Sequence, residues 1–180
     1  AGIIMYDQKA ERARQLFKEG YNCAQAVVGA FAGEMGMDFD TAIKLASSFG
    51  GGMGRMREVC GAVSGMFIVA GVLYGYSDPK DKKAKDKHYA LIQKLAEKFK
   101  YRNGSIICKN LLTGTNLEPN VLKIKVNEDE KREIDSTPVS TPRTAEFYRK
   151  RPCDELVWCA ANILHQLIIA DGDPNQQVHF

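Results

Sequence analysis

Apolar residues recur at helical spacing along most of the chain, and the spacing predicts a run of helices separated by short punctuated turns. Asp7 to Lys18 carries Ala10, Ala13, Leu16 and Phe17 on one face, and Gly20 supplies a stop. A second helix is expected from the cap residue Asn22 to about Met35, with CAQAVVGAFAGEM apolar around much of its circumference. A third runs from Asp38 or Asp40 to Phe49, and a fourth, from Glu58 to Tyr74, is apolar enough to be central. The fifth, about Lys80 to Tyr101, sets Tyr89, Ile92, Leu95, Ala96 and Phe99 against a lysine-rich face and closes at Asn103-Gly104. Ser105 is placed to cap a short helix, IICKNLL, ended by Gly114. A last helix follows Pro152 and continues to about Ala170.

The pattern changes between Thr115 and Arg151. NVLKIKV alternates as a short strand would, and EDEKREIDSTPVSTPRT is charged and broken by prolines. The expectation is an all-α, compact single-domain helical bundle of about six helices over residues 1–180, with residues 115–151 as a polar surface excursion before the last helix.

Composition narrows the function classes. The chain has 180 residues, 44% hydrophobic and 26% charged, enough for one globular core without staples. A net charge of +3 with lysines interleaved among acids gives no electrostatic case for nucleic acid. Val59 to Tyr76 holds no charge over 18 residues, the lower bound for a membrane span, but its glycines at four-residue spacing favour a buried central helix. These small residues suit either burial within one chain or a homodimer contact. The N-terminal stretch lacks a basic region followed by an apolar run, so a cytoplasmic location is expected. Five cysteines in a reducing compartment do not form a disulfide framework.

Four of the five share a predicted setting that their wide separation hides. Cys23 follows Asn22, Cys60 follows a glycine loop, Cys108 lies three residues after Ser105, and Cys153 follows Pro152. Each falls at or near a helix N-terminus, where unpaired N–H groups and the positive end of the dipole favour thiolate or bound sulfur. Arg55 and Arg57 precede Cys60 and could offset gathered negative charge. Cys159, six residues beyond Cys153, points about 120° away on the helix and reads as a packing residue. Packing is also the ordinary role of a single free cysteine, and it stands as an alternative for all four.

The stretch FGGGMGRMREVCGAVSG invites a phosphate-loop reading, but no Lys-Ser/Thr ends it and no strand precedes it. His88 among lysines reads as a surface residue, and neither His165 nor His179 has a catalytic context. No C-x-x-C-H is present, so covalent haem is not expected.

YNCAQAV, GGGMGRMREVCGAVSG, CKNLLTG and RPCDELVWCAANIL together resemble the C_GCAxxG_C_C family of redox-active proteins, over most of Tyr6 to Ala170. The resemblance runs through Cys23, Cys60, Cys108 and Cys153, with Cys60-Gly61-Ala62-Val63-Ser64-Gly65 as the signature. It implies an all-helical domain with a redox role. A related architecture in split-Soret cytochromes implies an iron–sulfur cluster as a concrete occupant. The resulting expectation is an electron-transfer protein whose four cysteines ligate such a cluster, supported by Gly61, Arg55 and Arg57, with an unidentified redox partner protein. The alternatives are a metal-free dithiol–disulfide oxidoreductase using Cys60 and Cys23, with Cys60 attacking, a zinc-stabilised site, and a helical interaction domain whose cysteines only pack.

Overall fold

A computed structural model describes residues 7–118 and 134–172. Among the described residues the fold is all-α, with one isolated backbone bridge in place of any strand. The helices are α1 (Gln8–Lys18), α2 (Cys23–Ala30), α3 (Phe39–Ala46), α4 (Gly61–Tyr74), α5 (Lys82–Asn103), α6 (Cys108–Thr113), α7 (Ala145–Lys150) and α8 (Cys153–Gly172). A 3₁₀ turn (Ser47–Phe49) and an irregular glycine turn (Gly50–Met53) lead out of α3. The possible strand NVLKIKV lies outside the described residues.

The starts of these helices follow from their caps. Asp7, Asn22, Asp38, Asp81 and Thr144 each accept a hydrogen bond from a backbone N–H in the first turn that would otherwise be orphaned. At α2 the cap is reciprocal, because the Gln25 side chain also accepts from the Asn22 N–H at 3.1 Å. Gly104 and Gly114, at φ 92° and 67°, end α5 and α6 in the left-handed region.

Four boundaries differ from the sequence expectation. Helix α2 ends at Ala30 rather than near Met35, because the chain turns over Phe31–Gly36 and Gly36 adopts φ 66°. Helix α4 begins at Gly61 rather than Glu58, because Val59 is held in an antiparallel bridge to Ile107. Ile107, not Ser105, occupies the cap position of α6, and the Ser105 hydroxyl accepts from the Ile107 N–H instead. Within the polar excursion, Ala145–Lys150 forms the short helix α7.

Helices α1, α2, α4 and α8 pack mutually, with α3 against α2 and α5 against α4 and α8. Phe17, Phe31, Leu16, Met66, Leu95 and Phe99 are among the fully buried side chains, each worth roughly 1.5–3 kcal/mol of transfer free energy. No helix among the described residues is long and apolar enough to cross a membrane.

Helix α4 crosses α2 closely. A Cβ at Gly65 would lie 2.9 Å from the Ala24 carbonyl oxygen and 3.1 Å from Val27 Cβ. A Cβ at Gly61 would lie 2.9 Å from the Phe49 carbonyl oxygen and 3.1 Å from Cys23 Cβ. At Gly71 nothing lies within 4 Å. Gly65→Ala is therefore expected to destabilise the fold by about 1–3 kcal/mol, since backbone must move to admit the methyl. Gly71→Ala should be neutral or stabilising by up to about 1 kcal/mol. Urea unfolding midpoints check the pair, and equal midpoints for the two variants would contradict the close-approach assignment.

Candidate four-cysteine site

Three cysteines are the first residues of their helices, Cys23 of α2, Cys108 of α6 and Cys153 of α8, and Cys60 is the cap residue of α4. All four line one cavity of about 350 Å³. The register between Cys60 and Cys108 is set by backbone. Cys60 N–H donates to the Ile106 carbonyl at 2.7 Å, and Cys108 N–H donates to the Glu58 carbonyl at 2.6 Å, so the bridge puts α4 and α6 side by side. Cys23 reaches Cys60 through the glycine crossing, and its thiol is hydrogen-bonded with Cys153. Cys60 and Cys108 are buried, whereas Cys23 and Cys153 are half-buried.

The glycine turn forms one wall. Gly51, Gly52 and Gly54 have φ between 57° and 71°, and a Cβ at Gly52 would lie 2.6 Å from Cys108 Cβ. Glycine is required there both for conformation and for clearance. Met53, Arg55 and Arg57 also sit in the left-handed region, at φ 65°, 65° and 61°. Such residues cost on the order of 1 kcal/mol each and persist where surrounding contacts fix them.

Those contacts are made by the two arginines. Arg57 donates from Nε and Nη2 to the Asp135 carbonyl at 3.0 and 2.9 Å and directs Nη1 at Cys108 Sγ, 3.8 Å away. Arg55 donates to the Thr137 carbonyl at 2.9 Å and the Thr141 hydroxyl at 2.7 Å, and pairs with the Asp135 carboxylate at 3.3 Å. The described part of the excursion is largely exposed, but it is strapped across the cysteine site by these bonds.

Two further arginines line the same cavity, and neither was among the candidates read from sequence. Arg143 donates to the Phe17 and Tyr21 carbonyls, both at 3.0 Å, and lies over the Phe17 ring at 4.3 Å. Arg151 lies over the Phe147 ring at 4.7 Å. The available signal was positional: Arg151 precedes Cys153 by two residues, much as Arg55 and Arg57 precede Cys60.

Electrostatics separates the thiols. Burial is the main cause that pushes Cys60 far up from the ordinary thiol value, with the neighbouring Cys108 and Cys153 adding to it. The amides of Ala62 and Val63 face its sulfur and partly offset this, although neither completes a cap hydrogen bond. Burial also raises Cys108, against the pull of Arg57. In the Cys23–Cys153 pair, the contact between the two side chains raises Cys23 and lowers Cys153, whose lowering Arg151, Arg143 and Arg57 assist. The thiol that the surroundings lower is therefore Cys153, where sequence reasoning looked to Cys60.

Cys159 faces elsewhere. It is buried, and its sulfur accepts from Asn103 Nδ2 at 3.4 Å. His165 is bonded to the buried Asp7 carboxylate at 2.7 Å, tying α8 to α1, and the half-buried His88 packs against Tyr76. Among the described residues no three Cys, His, Asp or Glu side chains are drawn together tightly enough to hold a single metal ion. The four cysteines share one cavity.

For the reduced, metal-free chain, alkylation by iodoacetamide should occur first at Cys153, with a pH midpoint below the ordinary value of 9.0. Cys23, Cys60 and Cys108 should react only at higher pH. The raised thiols stay protonated in the folded chain after they would ionise in the unfolded one. Their contribution to stability is complete below about pH 9 and is lost as pH rises beyond it, with Cys153 acting in the opposite sense. Mass-spectrometric mapping of alkylation against pH checks the order, and first modification at Cys60 would refute it.

No curated protein and no solved structure matches the chain. Residues 21–167 match the family described as "Putative redox-active protein (C_GCAxxG_C_C)", a span that takes in the glycine turn and all four cysteines of the cavity. With most of its length and its whole cysteine site inside that match, the chain belongs to the C_GCAxxG_C_C redox-active family.

Proposed function

We propose that Cys23, Cys60, Cys108 and Cys153 ligate an iron–sulfur cluster and that the protein transfers electrons through it. The observation that carries this reading is the placement of the four cysteines at four helix starts around one cavity of about 350 Å³. The donor set is all thiolate, the usual ligation of such clusters, and the cysteines come from four separate elements. A cavity of about 350 Å³ lined by the four cysteines has room for a polynuclear body, which is larger than a single zinc ion holding its thiolates at about 2.3 Å from one centre.

A bound cluster supplies one-electron chemistry at this position. The chain supplies the rest. Arg57 donates toward the Cys108 sulfur, and the amides of Ala62 and Val63 face that of Cys60. Groups of this kind favour the more negative, reduced state and raise the potential. Gly52 and Gly61 let backbone reach the cysteines where a side chain would collide.

A second reading has its own observation. Cys23 and Cys153 are adjacent, with Cys153 lowered and Cys23 raised, and as two thiols they would pass two electrons to an oxidant and release two protons on closing to a disulfide.

One preparation distinguishes the two. Anaerobically purified or reconstituted protein should contain iron and acid-labile sulfide, and Cys60→Ser or Cys108→Ser should lose most of both. Cys159→Ser should retain them, because its sulfur lies outside the cavity. Absence of iron and sulfide after reconstitution, together with a reversible loss of two thiols confined to Cys23 and Cys153, would replace the cluster reading by the dithiol one.

A further inference from the structure

The charge lining the cavity is unevenly used. Four guanidiniums, of Arg55, Arg57, Arg143 and Arg151, line it, and no carboxylate does among the described residues. Three of the four are engaged: Arg55, Arg57 and Arg143 spend their donors on backbone carbonyls, the Thr141 hydroxyl and Asp135. Arg151 differs. One face of its guanidinium rests over the Phe147 ring at 4.7 Å, and among the described residues its side chain has no hydrogen-bond partner. Stacking fixes the plane of the group while leaving its forked edge free, two residues before Cys153 and in the same cavity as Cys108.

A positioned guanidinium with unused donors, in a cavity with cationic and no anionic side chains, is suited to two oxygens of one anion. The exposed residues Pro138 and Ser140 form part of the lining, so the space is reached from solvent at the strap. A macromolecular polyanion would instead require basic side chains spread over an open face, and these arginines are gathered at one cavity.

We infer that the cavity binds a small oxyanion, gripped bidentately by Arg151 beside Cys153, and that this is the ligand class of the redox site. That the anion serves a redox site rests on the proposed function; the anion site itself does not.

The test uses the reduced full-length chain and inorganic sulfate as the probe. Calorimetric titration with sodium sulfate, compared with sodium chloride at equal ionic strength, should give saturable binding for sulfate alone. Arg151→Gln should weaken sulfate about tenfold or more, the order expected for losing a charge-assisted bidentate contact. Arg149→Gln, which removes an exposed charge on the neighbouring helix α7, should leave the affinity within about twofold, as surface screening predicts. If Arg151→Gln fails to fold by circular dichroism, Arg151→Lys decides, because it keeps the charge and loses the fork, and its affinity should fall. Sulfate heats indistinguishable from chloride, or unchanged affinity in the Arg151 variant that folds, overturns the inference. Iron and sulfide content of the unmodified chain reports separately on the cluster: sulfate binding without iron leaves the anion site standing, and iron without sulfate binding removes it.

Discussion

The close crossing of α2 and α4 is the constraint on which the site depends. Two glycines four residues apart, Gly61 and Gly65, occupy one face of α4 and leave that face without side chains, so α2 meets it at backbone distance. The start of α2 is thereby brought to the start of α4, and Cys23 comes beside Cys60. The C-G-A-x-x-G signature is thus one device in packing terms: its two glycines admit the helix that brings Cys23 beside Cys60. A larger residue at either glycine would push apart the helices and with them the two sulfurs.

The other two cysteines arrive by different means. Cys108 is set by the backbone bridge, whose two hydrogen bonds lock α6 against the approach to α4. Cys153 is carried by α8, which packs along α1, α2, α4 and α5 and is held most broadly by the core. Three kinds of contact therefore assemble the four positions: a helix crossing, a backbone bridge and core packing. Arg55 and Arg57 add a fourth by binding the strap over the cavity, and their left-handed backbone is the local cost of aiming both guanidiniums inward.

Much of this was legible in the sequence, for reasons that differ by element. The start of α2 was readable because Asn22 and Gln25 cap it locally, and the placement of all four cysteines at helix starts needed only such local signals. The end of α2 was not, because an apolar run continues through Phe31 while the chain turns at Gly33 and Gly36. The start of α4 was misplaced because Glu58 and Val59 pair with a segment almost fifty residues away, which no local pattern reports. Arg143 and Arg151 were hidden for a similar reason. Their segment is polar and proline-broken, and only tertiary structure shows that it folds over the cysteines.

The electrostatics of the assembled site gives its parts a common logic. Four thiols in one small volume resist ionising together: burial and the other sulfurs push Cys60 and Cys108 up, and Cys153 alone is lowered, by its contact with Cys23 and then by the arginines. Four arginines and four helix N-termini are insufficient to ionise the set. On the proposed cluster reading the remaining term is a cationic centre, and binding one would release protons from Cys23, Cys60 and Cys108 as it neutralised their charge. Affinity for such a group must then rise with pH until those protons are gone. Without that group, Cys153 is the thiol lowered from its ordinary value, beside Cys23 and the guanidiniums of Arg151 and Arg143. On the two proposed readings, the same arrangement of charge would serve ligation by all four sulfurs when a cationic centre is present and dithiol chemistry at one pair when it is not.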